Sequence, residues 1–302
     1  MRKAKVWLVG WLAAAVVLGP AAGAWATCTW VDVQLPYNQF GHLWNTEDGT
    51  ATGTPKGWCA PTAIANSFKF LETRYPTIYD QKLTAGDLLG TRNLLQGGWL
   101  SPDNELRNGT GCGNDKDIWE TKMYWIEDFA PGTTVFGGMV FKPGTDLSEW
   151  YGGSVLQNAY PTFDFLWGEL EHKEDIELGF WWEMEVVQPD GTKKKEKVGH
   201  MVTLTSLKFC DDGDGVWEPA TEQAKLDFID PNNPTGLTWD TLTLSGGALH
   251  FDYTHGGTDY DATIDLAYAE SPVPEPLTMA GLLLGVGCLA RYVHKQRRRS
   301  ER

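Results

Sequence analysis

A cysteine, a histidine and an aspartate stand at points in this chain where local backbone structure would aim them. Cys59 opens the run Cys-Ala-Pro-Thr-Ala-Ile-Ala-Asn-Ser-Phe, in which Pro61 suits a first helical turn. Ala60, Ile64, Ser67, Phe68 and Leu71 then recur at helical spacing, which predicts a helix over 59–75 that ends before Pro76. A thiol at a helix start feels unpaired N–H groups and the positive end of the helix dipole, and both favour the thiolate, the nucleophilic form. Thr54-Pro55-Lys56-Gly57 reads as the turn that delivers the chain there. Taken alone, Cys59 fits a half-cystine or an inert buried thiol equally well, because one cysteine needs partners before it is a nucleophile.

Two partners lie downstream. In the strand-like run His200 to Leu207, period-two alternation puts His200 on the face of Val202 and Leu204. By itself a structural histidine is the simpler reading. In the run Leu226 to Ile229, Asp230 shares parity with Leu226 and Phe228, and Pro231 stops the strand beside it. By itself it reads as a turn-initiating Asp-Pro. Jointly, a helix-start cysteine, a strand-start histidine and an aspartate ending the next strand make the set that acyl transfer needs: nucleophile, base and orienting group.

The segments Trp58-Cys59-Ala60-Pro61, Gly199-His200 and Asp230-Pro231 resemble the papain-like cysteine peptidases, most closely the double-glycine (bacteriocin-leader) peptidase family with its stand-alone secreted relatives. The resemblance covers residues 33–75 and 177–233. It implies a peptide or protein substrate, no cofactor, Cys59 as nucleophile, His200 as general base and then acid, and Asp230 as the group that fixes the imidazole. It also implies an oxyanion-stabilising glutamine shortly before the cysteine. The nearest upstream glutamine is Gln39, with Gln34 behind it, so a long loop must fold aside for Gln39 to serve.

The elements that must hold these residues follow from pattern. Thr29 to Leu35 reads as a strand and Pro36 to Gly57 as a loop; a short helix and a Gly/Asn-rich loop follow from Thr84, then a helix over 116–129 and a strand over 133–140. Glu177 to Val187 alternates Phe180, Trp182, Met184 and Val186 with polar residues and leads through Gln188-Pro189-Asp190-Gly191 into a hairpin. Helices first and strands after predict an α+β fold, the helix carrying Cys59 packed on an antiparallel sheet. The span 80–175 exceeds what a minimal domain of the resembled type needs and is expected as an insert that shapes or blocks the cleft.

Weaker metal patterns are present. His250 and His255 flank Tyr253 near Asp252 and Asp259, although Thr254-His255-Gly256-Gly257 reads as a loop. Asp211-Asp212-Gly213-Asp214-Gly215, with Glu218, has oxygen ligands at calcium-like spacing but lacks the terminal glutamate of an EF-hand loop, so a solvated hairpin tip is the plainer reading. The 15 tryptophans read mainly as packing residues, with an aromatic carbohydrate platform as the sharper alternative.

Both ends of the 302-residue sequence carry targeting patterns. Arg2, Lys3 and Lys5, an apolar run from Val6 to Val17 and Ala24-Trp25-Ala26 read as a secretory signal peptide over 1–26. Residues 272–302 hold Pro274-Glu275-Pro276, an apolar span over 277–293 and a tail with Arg297, Arg298 and Arg299. This order resembles the PEP-CTERM sorting signal, which implies processing by an exosortase after signal peptidase, a transient inner-membrane anchor, and delivery of residues 27–271 to a bacterial cell surface or its polysaccharide matrix. Asp and Glu outnumber Lys and Arg by 40 to 25, and the two terminal segments hold nine of the basic residues, so the body between them repels phosphate backbones and nucleic acid is excluded as a partner. Five cysteines, at 28, 59, 112, 210 and 288, leave Cys28, Cys112 and Cys210 for disulfides in an oxidising compartment; the pairing stays open, with Cys112 to Cys210 one option. Two functions therefore compete: an exported cysteine peptidase, and an inert module of the same fold that serves as a matrix or surface protein.

Overall fold

Long alternating runs and paired glycines build most of the sheet. In the computed structural model, which describes residues 28–110, 115–141, 154–236 and 239–273, the chain is a mixed α+β structure. The signal-peptide segment and residues 274–302 of the sorting segment, with Cys112 and Cys288, lie outside the described residues. The elements in order are β1 (Thr29–Gln34), a 3-10 turn at Tyr37–Gln39, α1 (Cys59–Arg74), α2 (Pro76–Tyr79), α3 (Leu88–Gly97), a small hairpin of β2 (Trp99–Leu100) and β3 (Leu106–Arg107), and α4 (Asp115–Phe129). Then come β4 (Thr134–Val140), β5 (Ser154–Gln157), α5 (Phe163–Glu171), β6 (Asp175–Val187), β7 (Lys193–Asp211), β8 (Ala224–Ile229), β9 (Asp240–Ser245), β10 (Ala248–His255) and β11 (Thr258–Pro272).

The main sheet closes on itself. Strands β7, β8, β9, β10 and β11 are antiparallel neighbours in turn, and β6 pairs with both β7 and β11. Six strands therefore form a barrel, and β7 and β11 are long enough to carry extensions beyond it. β1 pairs antiparallel along the C-terminal part of β7. β4 pairs with β11, and β5 lies parallel to β4. The expected insert at 80–175 thus supplies two strands to the same sheet as well as the helices α3, α4 and α5.

Alternation along β6 and β7 separates two environments. Phe180 and Trp182 join Phe228, Phe251 and Tyr253 in an aromatic cluster with ring centroids 4.8–6.4 Å apart. The opposite residues meet the helices: the Thr203 hydroxyl donates to the Ala63 carbonyl of α1 at 3.1 Å. Helix α1 is buried along nearly its whole length. Beneath it, Lys122 of α4 makes ion pairs with Asp175 and Glu177 of β6 and Glu270 of β11, and Ser67 of α1 donates to Asp175. All five side chains are buried. This polar knot fixes the depth of α1 against the barrel.

The structure settles the pairing that the sequence left open and corrects one expectation. Cys210 pairs with Cys28, with Cα atoms 5.2 Å apart, and not with Cys112. The antiparallel register of β1, with Trp30 opposite Cys210, carries the chain start to that position. The segment around His255 is not a loop but the tip of the β10–β11 hairpin, turning at Gly256 and Gly257 with φ of +59° and +80°. Gly246 and Gly247 turn the β9–β10 hairpin in the same way, with φ of +59° and +85°. Such left-handed pairs match the strand twist and favour glycine.

Candidate active site

Helix α1 begins at Cys59, with Trp58 as its N-cap. The Trp58 carbonyl accepts from the Thr62 amide and hydroxyl, which closes the first turn around the thiol. Amide groups in that first turn have no intrahelical acceptor and face forward. The loop before the helix lies flat on α1. Gly41 and Leu43 amides donate to the Asn66 carbonyl and Oδ1, each at 2.9 Å, and a Cβ on Gly41 would sit 2.7 Å from that oxygen.

His200 enters from β7 directly opposite Phe180 of β6, and Asp230 follows the end of β8. The His200 Nε2 to Asp230 Oδ1 distance is 2.7 Å. The ring's other nitrogen, Nδ1, is the one left for the Cys59 sulfur, which is half-buried and near enough to the imidazole for each to shift the other's titration. Asp230 is held in turn: its Oδ1 accepts the Asn232 amide at 2.7 Å and its Oδ2 the Tyr253 hydroxyl at 2.9 Å. Phe180 stands edge-on to the His200 ring at 5.6 Å, and Tyr253 lies 5.5 Å away on a tilted plane. The imidazole is thus fixed by packing as well as by hydrogen bonds.

The electrostatics favour a charged pair. Burial penalises each ionised form, but for all three groups the neighbours win. His200 is pushed up to about 10 by the Asp230 carboxylate and then by Cys59. Cys59 is held below the ordinary thiol range because the imidazolium and backbone hydrogen bonds at Met201 and Ala60 outweigh burial. Asp230 is held below the usual carboxylate range by His200, with the Asn232 amide and Tyr253 hydroxyl assisting. Burial and the Asp230 charge raise Tyr253, so it remains a donor. A thiolate, an imidazolium and a carboxylate in a row result, the resting state of a thiol nucleophile that needs no separate base for its attack.

Cys59 and His200 open into a cavity of about 490 Å³, walled also by Asn45, Phe180, Trp181 and Trp182. Thr110 and Ile118, from the expected insert, also line it. The volume suits a few residues of an extended peptide better than a whole folded domain.

The structure brings Cys59, His200 and Asp230 together. Gln39 is not among the cavity-lining residues, whereas Asn45 is. Asn45, Asn232 and Tyr253 complete the polar network and were not singled out by sequence pattern as its members. Tyr253 follows Phe251 by period two on a strand bounded by glycine pairs, a signal that was available; Asn45 sits in an irregular loop and has none. The residues of the two metal patterns make the following contacts. His250 pairs with Asp261 at 2.9 Å, while His255, on the opposite face of β10, packs on Trp182. Asp211 and Asp214 accept backbone amides of their own turn, from Gly213, Gly215 and Val216. No family model and no curated protein sequence matches this chain.

Proposed function

We propose that this chain is a cysteine peptidase of papain-like architecture, exported and sorted to the cell envelope. The observation that carries the reading is that Cys59 and His200 meet on one cavity with Asp230 bonded behind the imidazole, and that the charge interactions favour the thiolate-imidazolium pair. The Cys59 thiolate attacks an amide carbonyl carbon; the carbon–sulfur bond forms and the carbonyl π pair moves onto oxygen. Collapse of this tetrahedral species breaks the carbon–nitrogen bond, and the departing amine takes the proton of the His200 imidazolium. Neutral His200 then accepts a proton from water as the water oxygen attacks the thioester. The second collapse releases a carboxylic acid and restores the thiolate. Asp230 keeps the imidazole oriented through both halves and offsets its positive charge.

The targeting patterns at residues 1–26 and 272–302 support the localisation, with signal peptidase and an exosortase as processing partners and envelope polysaccharide as the surroundings of the mature protein. Among the described residues no helix is long and apolar enough to cross a membrane.

The test is covalent labelling of the folded protein with a peptidyl acyloxymethyl ketone, alongside cleavage of a casein-derived peptide pool. Wild type is expected to be labelled at Cys59 and to generate new peptide ends. Cys59→Ala loses both, and His200→Ala loses most of each. A wild-type protein that is neither labelled nor active contradicts the proposal and leaves the inert surface module.

A further inference from the structure

Acyl transfer at Cys59, the reading on which this inference rests, builds negative charge on the substrate carbonyl oxygen. Donors must already point at the place where that charge appears. The helix start supplies one, the Cys59 backbone N–H in the unpaired first turn. A second has to come from the cavity wall on the side chain's approach, and Gln39 does not line that wall.

Asn45 does, and its amide is oriented by its neighbours. The Trp58 N–H, a donor, lies 2.8 Å from one terminal atom of Asn45, which fixes that atom as Oδ1 and turns the NH2 group the other way. One hydrogen of this group goes to Asn232 Oδ1 at 3.3 Å, on the rim that also holds Asp230. An amide nitrogen carries two hydrogens, so one donor remains for a ligand. The backbone around it is clamped. The Asn45 N–H donates to the Pro231 carbonyl at 2.6 Å, and its carbonyl accepts the Lys56 amide at 3.0 Å. The fully buried Arg92 guanidinium binds the Trp44, Thr46 and Glu47 carbonyls on either side and lies 5.1 Å from the Trp58 ring centroid. A side chain fixed at both ends of its residue and by its own oxygen is a preorganised donor, and such a donor costs no reorganisation when charge develops.

We propose that Asn45 is the side-chain half of an oxyanion hole whose other half is the Cys59 backbone N–H. The Asn45 Nδ2 group donates to the substrate carbonyl oxygen as the thiolate adds, and the Trp58 N–H keeps the amide from flipping. The residue thereby takes the position that the family resemblance assigns to a glutamine.

Two reactions of the same sulfur separate this role from a structural one. Alkylation by iodoacetamide displaces iodide at a saturated carbon and creates no oxyanion. Acylation by p-nitrophenyl acetate passes through one. On the full chain, Asn45→Ala is expected to slow acylation of Cys59 by about 10²–10³-fold, while the plateau rate of alkylation changes by less than about threefold. Asn45→Asp keeps the oxygen that accepts from Trp58 and removes the donor, so it should show the same split even if Asn45→Ala folds poorly. Parallel loss of both reactions in Asn45→Asp, or loss of neither, overturns the proposal. So does a selective acylation defect in Gln39→Ala with Asn45→Asp unaffected. A wild-type protein that alkylates rapidly but is not acylated fails at the acyl-transfer reading itself, and the oxyanion assignment falls with it.

Discussion

His200 keeps its proton because the nearest charges are negative. Its raised pKa, about 10, and the lowered pKa of Cys59 open a pH window in which the thiolate-imidazolium pair is the main species. Below the window the thiol is protonated, and above it the imidazole loses the proton that the leaving amine requires. Activity should therefore rise through a Cys59 inflection below the ordinary thiol range and fall near pH 10. In Asp230→Asn the carboxylate charge that most strongly supports the imidazolium is gone. The alkaline limb should move down toward the ordinary histidine range, ~6.5, with kcat/KM lower by about a hundredfold. A pH–rate profile measures this, and an alkaline limb unmoved in Asp230→Asn would show that Asp230 does not set the charge. Cys59 and Asp230 were legible in the sequence because each stands at the end of an element, where local pattern fixes its direction; His200, expected to start its strand, lies inside β7, which begins at Lys193, and was legible because alternation fixed its face. Asn45 was not, because its partner Asn232 lies 187 residues away in the chain; Tyr253 carried a period-two signal, but its contact with Asp230 depends on a strand pairing that no local pattern specifies.

At the scale of elements, α1 holds its position through a buried polar knot whose members come from four separate places. Lys122 and Glu270 are 148 residues apart, which is why nothing in the sequence announces their ion pair. Three carboxylates face one ammonium. Burial, with the Glu177 charge, raises Asp175 to about 6 despite Lys122, and raises Glu270 as well. A carboxyl whose folded pKa lies above its unfolded value binds its proton more tightly when folded, so its stabilising contribution is fully present at low pH and is lost as pH rises through about 6. Removing the cation sharpens this. Lys122→Met should lower the unfolding free energy at pH 7 by about 3–5 kcal/mol, and by clearly less at pH 5, where protons replace the ammonium. Urea unfolding at the two pH values checks it; an equal loss at both would mean that the knot stays uncharged. The strands of β6, β7 and β8 were readable from alternation, and α1 from its spacing. The closing strands β9 to β11 were not, although Gly246-Gly247 and Gly256-Gly257 mark their turns, because β9 and β11 join the sheet through pairings with β8 and β6 that no local pattern specifies.

For the whole molecule, barrel closure is what makes the site. Cys59 arrives from the helix layer, while His200, Asp230 and Tyr253 come from three strands or strand ends that only a closed ring places side by side. The α+β class was legible from the order of elements; the barrel was not, since it depends on β6 pairing with a strand more than seventy residues later. Cys28–Cys210 ties the start of β1 to the far end of β7 and leaves Cys59 as the free thiol among the described cysteines. The reactivity of that thiol carries the account. Its pseudo-first-order alkylation by iodoacetamide, followed from pH 4 to 10 by intact mass, should show an inflection well below that of a free thiol at ~8.5, and in His200→Ala the inflection should return to or above that value because burial is then unopposed. A Cys59 that titrates like a free thiol in wild type, with no change in His200→Ala, would contradict the thiolate-imidazolium pair.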